Sequence, residues 1–178
     1  MKFAIISENE FNKNEKFFKD NIGFVYNFDD FDNLRECTKG RFNLTRENFE
    51  EIKANRYNSI FNEYKDNFEE FHDKFFLSIA YDDRIYSIAC FTMQDNSCYI
   101  DGVETVISHR KRGLASKVLK QGLEKLDVSA QLHTSIDNLS AQKLYLSLGF
   151  KETHRDEELV YYSLSPNHTK SIPKSIKE

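Results

Sequence analysis

"HRKRGLASKVL", from His109 to Leu119, is the densest cluster of positive charge in a chain whose formal net charge is −4. Gly113 sits inside the cluster. An apolar pattern follows it at Leu114, Val118, Leu119, Leu123 and Leu126, and this spacing predicts a helix from about Leu114 to Leu126. Upstream, "CYIDGVET" reads as a strand ending at Thr105. The cluster therefore joins a strand to a helix. Gly113 lets the backbone curl and lets a ligand approach closely. Successive amides from about Arg112 to Ser116 would point outward at the positive end of the helix, as an anion site requires. Arg110, Lys111, Arg112 and Lys117 add charge beside it, and a pyrophosphate fits this chemistry. A solvated face or a nucleic-acid patch is the plainer reading of such a run. Neither G-x-x-x-x-G-K-[ST] nor G-x-G-x-x-G is present, which argues against a nucleotide P-loop and a dinucleotide fold.

Composition narrows the choice. A length of 178 residues suits one domain with a sizeable core, and sixteen Phe and nine Tyr without Trp make that core aromatic. A pI near 5.8 argues against a dedicated nucleic-acid binder. No apolar run approaches the roughly 20 residues that span a bilayer. The start "MKFAIISENEF" is too short and too soon charged for a signal peptide. Cys37, Cys90 and Cys98 are odd in number and lack metal-ligand spacing. Cys90 and Cys98 are placed across a predicted hairpin, but free thiols in a reducing cytoplasm are the plain reading.

The chain has two parts. Residues 1–71 read as a short strand, "KFAIIS", followed by helices. One amphipathic helix is expected from Thr45 to Phe71, with Thr45 as N-cap and Glu47 in the first turn. Residues 74–164 begin as a meander: "KFFLSIA", "IYSIACFTM" and "CYIDGVET", turned at "YDDR" and "QDNS". After the basic loop and its helix come the strand "AQLHTS" and the helix "NLSAQKLYLSLG", which Gly149 ends. "FKETHR" and "LVYYSL" are predicted to pair through Asp156 and Glu157. The whole is expected to be one domain over 1–165, with a polar tail over 166–178.

"NLSAQKLYLSLGF", Asn138 to Phe150, resembles the N-x-x-A-x-x-L-Y-x-x-x-G-F signature of the GNAT superfamily of acyl-CoA-dependent N-acetyltransferases. Arg110-Lys111-Arg112-Gly113-Leu114-Ala115 then resembles that family's [QR]-x-x-G-x-[GA] loop, in the right order and at the right separation. The resemblance covers roughly Phe75 to Leu164. It implies an α/β fold of α+β layout: a mixed, mostly antiparallel, twisted sheet flanked by helices, with a V-shaped splay between the fourth and fifth strands. It implies acetyl-CoA as co-substrate and no metal. Amides from about Lys111 to Ser116, with Leu114 and Ala115 among them, would hold the pyrophosphate. Val103, Glu104 and Thr105 would pair with the pantetheine amides, Asn138 would approach that arm, and Tyr145 would sit near the sulfur. Many members carry a proline before the loop; here the stretch is "VISH".

Acetyl transfer needs a neutral amine, a polarised thioester carbonyl and a proton for the leaving thiolate. Tyr145, with a phenol protonated at neutral pH, is the expected acid. The base is open. His133 suits proton transfer and suits a core position equally. Asp101 and Glu104 are three apart, so an unbroken strand turns only one of them toward the cleft, unless Gly102 carries a bulge. Water relay needs no base at all. The acceptor is a small molecule or a protein amine, with no nucleic-acid or membrane partner, and a homodimer is compatible. The alternative is a non-catalytic acyl-CoA-binding sensor or regulatory module.

Overall fold

The computed structural model describes residues 1–166; the expected tail from 167 onward lies outside the described residues. Strand β1 (Lys2–Ile6) is followed by α1 (Glu8–Lys13), α2 (Glu15–Val25), α3 (Phe31–Thr38) and α4 (Phe49–Phe71). Then come β2 (Phe75–Tyr81), β3 (Ile85–Met93), β4 (Ser97–Thr105), α5 (Leu114–Leu123), β5 (Ser129–Ser135), α6 (Leu139–Ser147), β6 (Lys151–Arg155) and β7 (Leu159–Leu164). The seven strands form one sheet in the order β1-β2-β3-β4-β5-β7-β6. All neighbours are antiparallel except β4 and β5. This is the mixed, mostly antiparallel sheet flanked by helices that the motifs implied.

Two apolar clusters cover the two faces of the sheet. Period-two alternation divides β3 between them: Ile88 and Cys90 face one cluster, Ala89 and Phe91 the other. The first cluster packs Phe11, Phe18, Ile22, Phe61 and Phe68 of the N-terminal helices on Leu77 and Ile79 of β2. Stacked and edge-on phenylalanines dominate it, with the Phe11 ring 4.7 Å from Phe68 and 4.8 Å from Phe18. The second packs Val118, Leu119 and Leu123 of α5 against Phe91, Ile100, Leu132 and Val160. The first cluster draws no buried residue from β5, β6 or β7. The N-terminal helices therefore stop at β4, on the near side of the splay.

Local chemistry sets most element ends. Ser7 and Glu10 form a reciprocal capping box at the start of α1. Gly149 (φ 92°) ends α6, as expected. Thr45 is not the N-cap of α4. Its amide donates to Asn48 Oδ1 (2.8 Å), and its hydroxyl accepts from the Asn48 amide (3.4 Å), so the pair closes a turn and the helix starts at Phe49. The first-turn acids are then Glu50 and Glu51 rather than Glu47. Helix α5 stops at Leu123. Leu126 still reaches the core, from a turn in which the Lys125 and Leu126 amides bond three residues back. Cys90 and Cys98 do not face each other: Cys90 lies opposite Asp101, Cys98 lies opposite Met93, and the thiols enter different clusters.

Candidate active site

Strands β4 and β5 are in register over three pairs only, from Ser97–Ser129 to Tyr99–Gln131. Beyond these β4 runs on to Thr105 and β5 to Ser135 without pairing to each other. The gap is the expected V. It opens a cavity of about 820 Å³ that passes between the strands and is walled by both layers of the protein.

One end of the cavity is the basic loop. A 3-10 turn over Ile107–His109 follows β4 in place of a proline entry, and the Arg110 Nε donates to the Thr105 carbonyl at 3.2 Å. Lys111 (φ 60°) and Gly113 (φ 73°) are both left-handed, which curls the segment. Gly113 is the N-cap of α5 and brings no capping side chain, so the first amides of the helix, at Leu114, Ala115 and Ser116, have no intrahelical acceptor. A Cβ placed on Gly113 meets nothing within 4 Å. The glycine is thus kept by backbone conformation and by the open space before it, not by packing. Arg110, Lys111, Leu114, Ala115 and Ser116 line the cavity; Arg112 is exposed and does not.

The middle of the cavity carries the titratable groups. In the β3–β4 ladder, Cys90 pairs with Asp101 and Ile88 pairs with Glu104, so one residue of β3, Ala89, opposes two of β4, Gly102 and Val103. Gly102 (φ 54°) takes up the extra residue. This bulge corrects the expectation that one carboxylate faces the cleft: Asp101 and Glu104 share a face, and both line the cavity with Val103 and Thr105. Loss of hydration raises both carboxyls from their ordinary values. Glu63 pushes Asp101 further up and His133 draws it back, while Arg110 draws Glu104 back.

Across the V stands Tyr145 on α6. Its side chain is 5% exposed and packs on Phe150 and Tyr162, and it faces the cavity. Burial first, then the charge of Glu104, push its phenol up to about 12. Asn138 lines the cavity too, but its Oδ1 is already engaged, accepting from the Ala141 amide at 3.1 Å as the N-cap of α6. His133 is no core residue. It is exposed on β5, lines the cavity mouth, and its Nδ1 is hydrogen-bonded to the Tyr99 hydroxyl.

The sequence profile of the acetyltransferase (GNAT) family matches residues 39–150, more than half of the chain. The chain belongs to the GNAT acetyltransferase family. No curated protein matches its sequence. Solved structures share the fold at low identity. The PaiA N-acetyltransferase of Thermoplasma acidophilum, solved with coenzyme A, is 12% identical with a TM-score of 0.57, over 93% of this chain and 99% of that one. The N-acetyltransferase PseH of Campylobacter jejuni, solved with acetyl-coenzyme A, is 16% identical with a TM-score of 0.53, over 92% and 99%. An aminoglycoside 6′-acetyltransferase type Ii is 14% identical with a TM-score of 0.58, over 93% and 97%.

In this GNAT chain the far wall of the cavity comes from residues that no motif marks: Tyr26, Asn27, Asn33 and Cys37. Asn27 (φ 60°, 6% exposed) is a clamp. Its Oδ1 accepts from the Ile107 amide at 2.6 Å and its Nδ2 donates to the Thr105 carbonyl at 3.4 Å, which fixes the exit of β4. Asn33 Nδ2 donates to the Tyr26 and Asn27 carbonyls, and so holds the turn between α2 and α3. These contacts span about 80 residues of sequence in the case of Asn27 and Ile107, beyond the reach of any local pattern. Among the described residues no three His, Cys, Asp or Glu side chains are grouped to hold a metal. No helix there is long and apolar enough to cross a membrane.

Proposed function

We propose that the chain transfers the acetyl group of acetyl-CoA to a primary amine by direct attack within a ternary complex. The observation that carries this reading is the placement of Tyr145 and Glu104 on opposite walls of one splayed cavity, with an anion-suited loop at its end. The amides of residues 111–116 would hold the pyrophosphate, helped by Arg110 and Lys111. The unpaired edge of Val103–Thr105 would bond the pantetheine amides as an added strand does, and a β4 amide would polarise the acetyl carbonyl.

Glu104 is our choice of base. A carboxylate whose pKa is raised by burial is a stronger base, and this one stands closest in influence to the acid. It takes a proton from the incoming ammonium. The freed nitrogen attacks the acetyl carbon, the C–S bond breaks as the Tyr145 hydroxyl gives its proton to the departing sulfur, and the second proton that the nitrogen loses in becoming an amide returns through water to the Tyr145 oxygen. A phenol at about 12 stays protonated through neutral pH and is ready to donate. Asp101 and His133 are placed nearer the mouth, where they would guide the amine in and pass its proton to water.

The test has two steps. A thermal melt should rise with acetyl-CoA and with CoA but little with ATP; saturation at 100 times the dissociation constant is worth about 2.7 kcal/mol. Thiol release on adding a primary amine then separates an enzyme from a binding module. Tyr145→Phe should lower kcat by roughly 10²-fold and leave acetyl-CoA binding intact. Unchanged kcat in that variant would remove Tyr145 from the acid role.

A further inference from the structure

Tyr26, at the C-cap of α2, faces the cavity from the acceptor side. Its hydroxyl is 2.7 Å from that of Tyr64 on α4, and the Tyr64 hydroxyl is 3.1 Å from Cys90 Sγ on β3. The three groups make a line from the core to the cleft. Cys90 and Tyr64 are each 3% exposed, and Tyr26 is half-buried. Burial holds all three well above their ordinary pKa values, so each keeps its one hydrogen.

The hydrogens can then be placed in order. The Cys90 thiol donates to Tyr64 Oη. The Tyr64 hydrogen is buried and needs an acceptor, and Tyr26 Oη is the one beside it. Tyr26 accepts that bond. Its own hydrogen has no acceptor among the described residues. The hydroxyl lies against the bulge: a Cβ on Gly102 would come within 3.0 Å of it. Asp101 and Glu104 are near enough for their charges to act on it. Helix packing does not require this oxygen, because the ring contacts of Tyr26 with Phe28 and Tyr64 would survive in phenylalanine.

We propose that the Tyr26 hydroxyl is a specificity-determining donor that binds an oxygen atom of the acceptor, so that the favoured acceptor is a hydroxylated or carbonyl-bearing primary amine. The inference rests on the amine-transfer reading of the same cavity. An ammonium group has no lone pair to offer this donor. The reacting nitrogen, once neutral, must keep its lone pair for the acetyl carbon. A hydroxyl, ether or carbonyl oxygen elsewhere on the acceptor can satisfy it, and a purely alkyl amine cannot. Asp101 and Glu104 attract the cationic part of either kind, so discrimination falls to Tyr26.

Glucosamine and cyclohexylamine, both six-membered-ring amines, are the probes. Two readouts are taken with wild type, Tyr26→Phe and the double variant Tyr26→Phe/Tyr64→Phe. One is thiol release from acetyl-CoA. The other needs no turnover: protection of Cys37 from iodoacetamide, since Cys37 is the exposed cysteine and lines this cavity while Cys90 and Cys98 are buried. The double variant removes both hydroxyls, so no buried hydroxyl hydrogen is orphaned; only the thiol of Cys90, a weak donor, loses its acceptor, and folding is kept. Both variants should raise the glucosamine KM and half-protecting concentration about tenfold. They should leave those for cyclohexylamine within about twofold, a margin well below the loss of one hydrogen bond. Acetyl-CoA affinity should not move. Equal weakening of both amines, or no change for glucosamine, overturns the role of Tyr26 while leaving acetyl transfer standing. A wild type in which neither amine protects Cys37 or releases thiol sinks the acceptor-site reading and this proposal together.

Discussion

The two ends of the cavity are built by different means. The loop end, from Thr105 to Ser116, is almost continuous in sequence and works through backbone: two left-handed residues, an uncapped helix start and amides that any side chain would leave in place. The acceptor end is assembled from side chains on α2, α3, α4, β3 and β4, and its hydrogen bonds join residues such as Tyr26 and Tyr64 or Asn27 and Ile107. A backbone site tolerates drift at most positions so long as the curl survives. A side-chain site changes with each substitution. On the proposed reading, then, the region that would bind the shared co-substrate and the region that would choose the acceptor are physically separable, and mutations should divide them.

The sharpest division is expected from Gly113→Asp. Aspartate tolerates the left-handed region and is a good N-cap, and a Cβ has room there, so the protein should fold. A carboxylate in the anion cradle should still weaken acetyl-CoA by at least about 10³-fold, a loss of several bonds to phosphate. Calorimetric titration measures this, and Cys37 alkylation with an amine present should be unaffected. Retained acetyl-CoA affinity would erase the distinction between the two ends.

Glu104→Gln should be next, with kcat down by roughly 10²- to 10³-fold and acetyl-CoA affinity held. The acid limb of the pH–rate profile should disappear with it. A profile that keeps this limb would move the base to Asp101 or His133.

Gly102→Ala tests the join between the ends. The new Cβ would lie 2.7 Å from Cys90 Sγ at a φ of 54°, so a loss of about 2–3 kcal/mol is expected from denaturant unfolding. Acceptor KM should rise more than acetyl-CoA affinity falls, since the bulge orients both carboxylates but not the loop amides.

The smallest effect sharpens the picture of Glu104 itself. Burial raises its carboxyl in the folded state, so the native protein binds this proton more tightly than the unfolded chain does. Its contribution therefore turns unfavourable as pH rises from about 4.3, the unfolded value, through the raised folded value. Glu104→Gln should melt above wild type at pH 7, and the gap should close near pH 4. A gap that widens on acidification would mean a carboxylate stabilised by a partner.

Much of this was legible in the residues. Strand β3 is where "IYSIACFTM" places it, because a short run rich in apolar, β-branched and aromatic residues between two turn signals suits a buried strand and is too short for an ordinary helix. The boundary at Thr45 was not, since a threonine that can cap a helix can also close a turn with Asn48, and only the chain's path decides which. His133 was open for the same kind of reason. Its strand was readable, but whether helices cover that face depends on where α4 stops.

The sequence by itself determined the order of the elements from β2 to β7, the loop that curls before α5 and the position of Tyr145 on the helix after β5. Each of these depends on residues within one or two turns of one another, where backbone sterics and apolar spacing act. The tertiary structure alone decided that Asp101 and Glu104 share a face, that Cys90 and Cys98 part company across the sheet, and that Tyr26 reaches the cleft. Those outcomes turn on one extra residue in a strand and on contacts between segments far apart in the chain, and a side chain's facing is settled only when the partner strand or helix is packed against it.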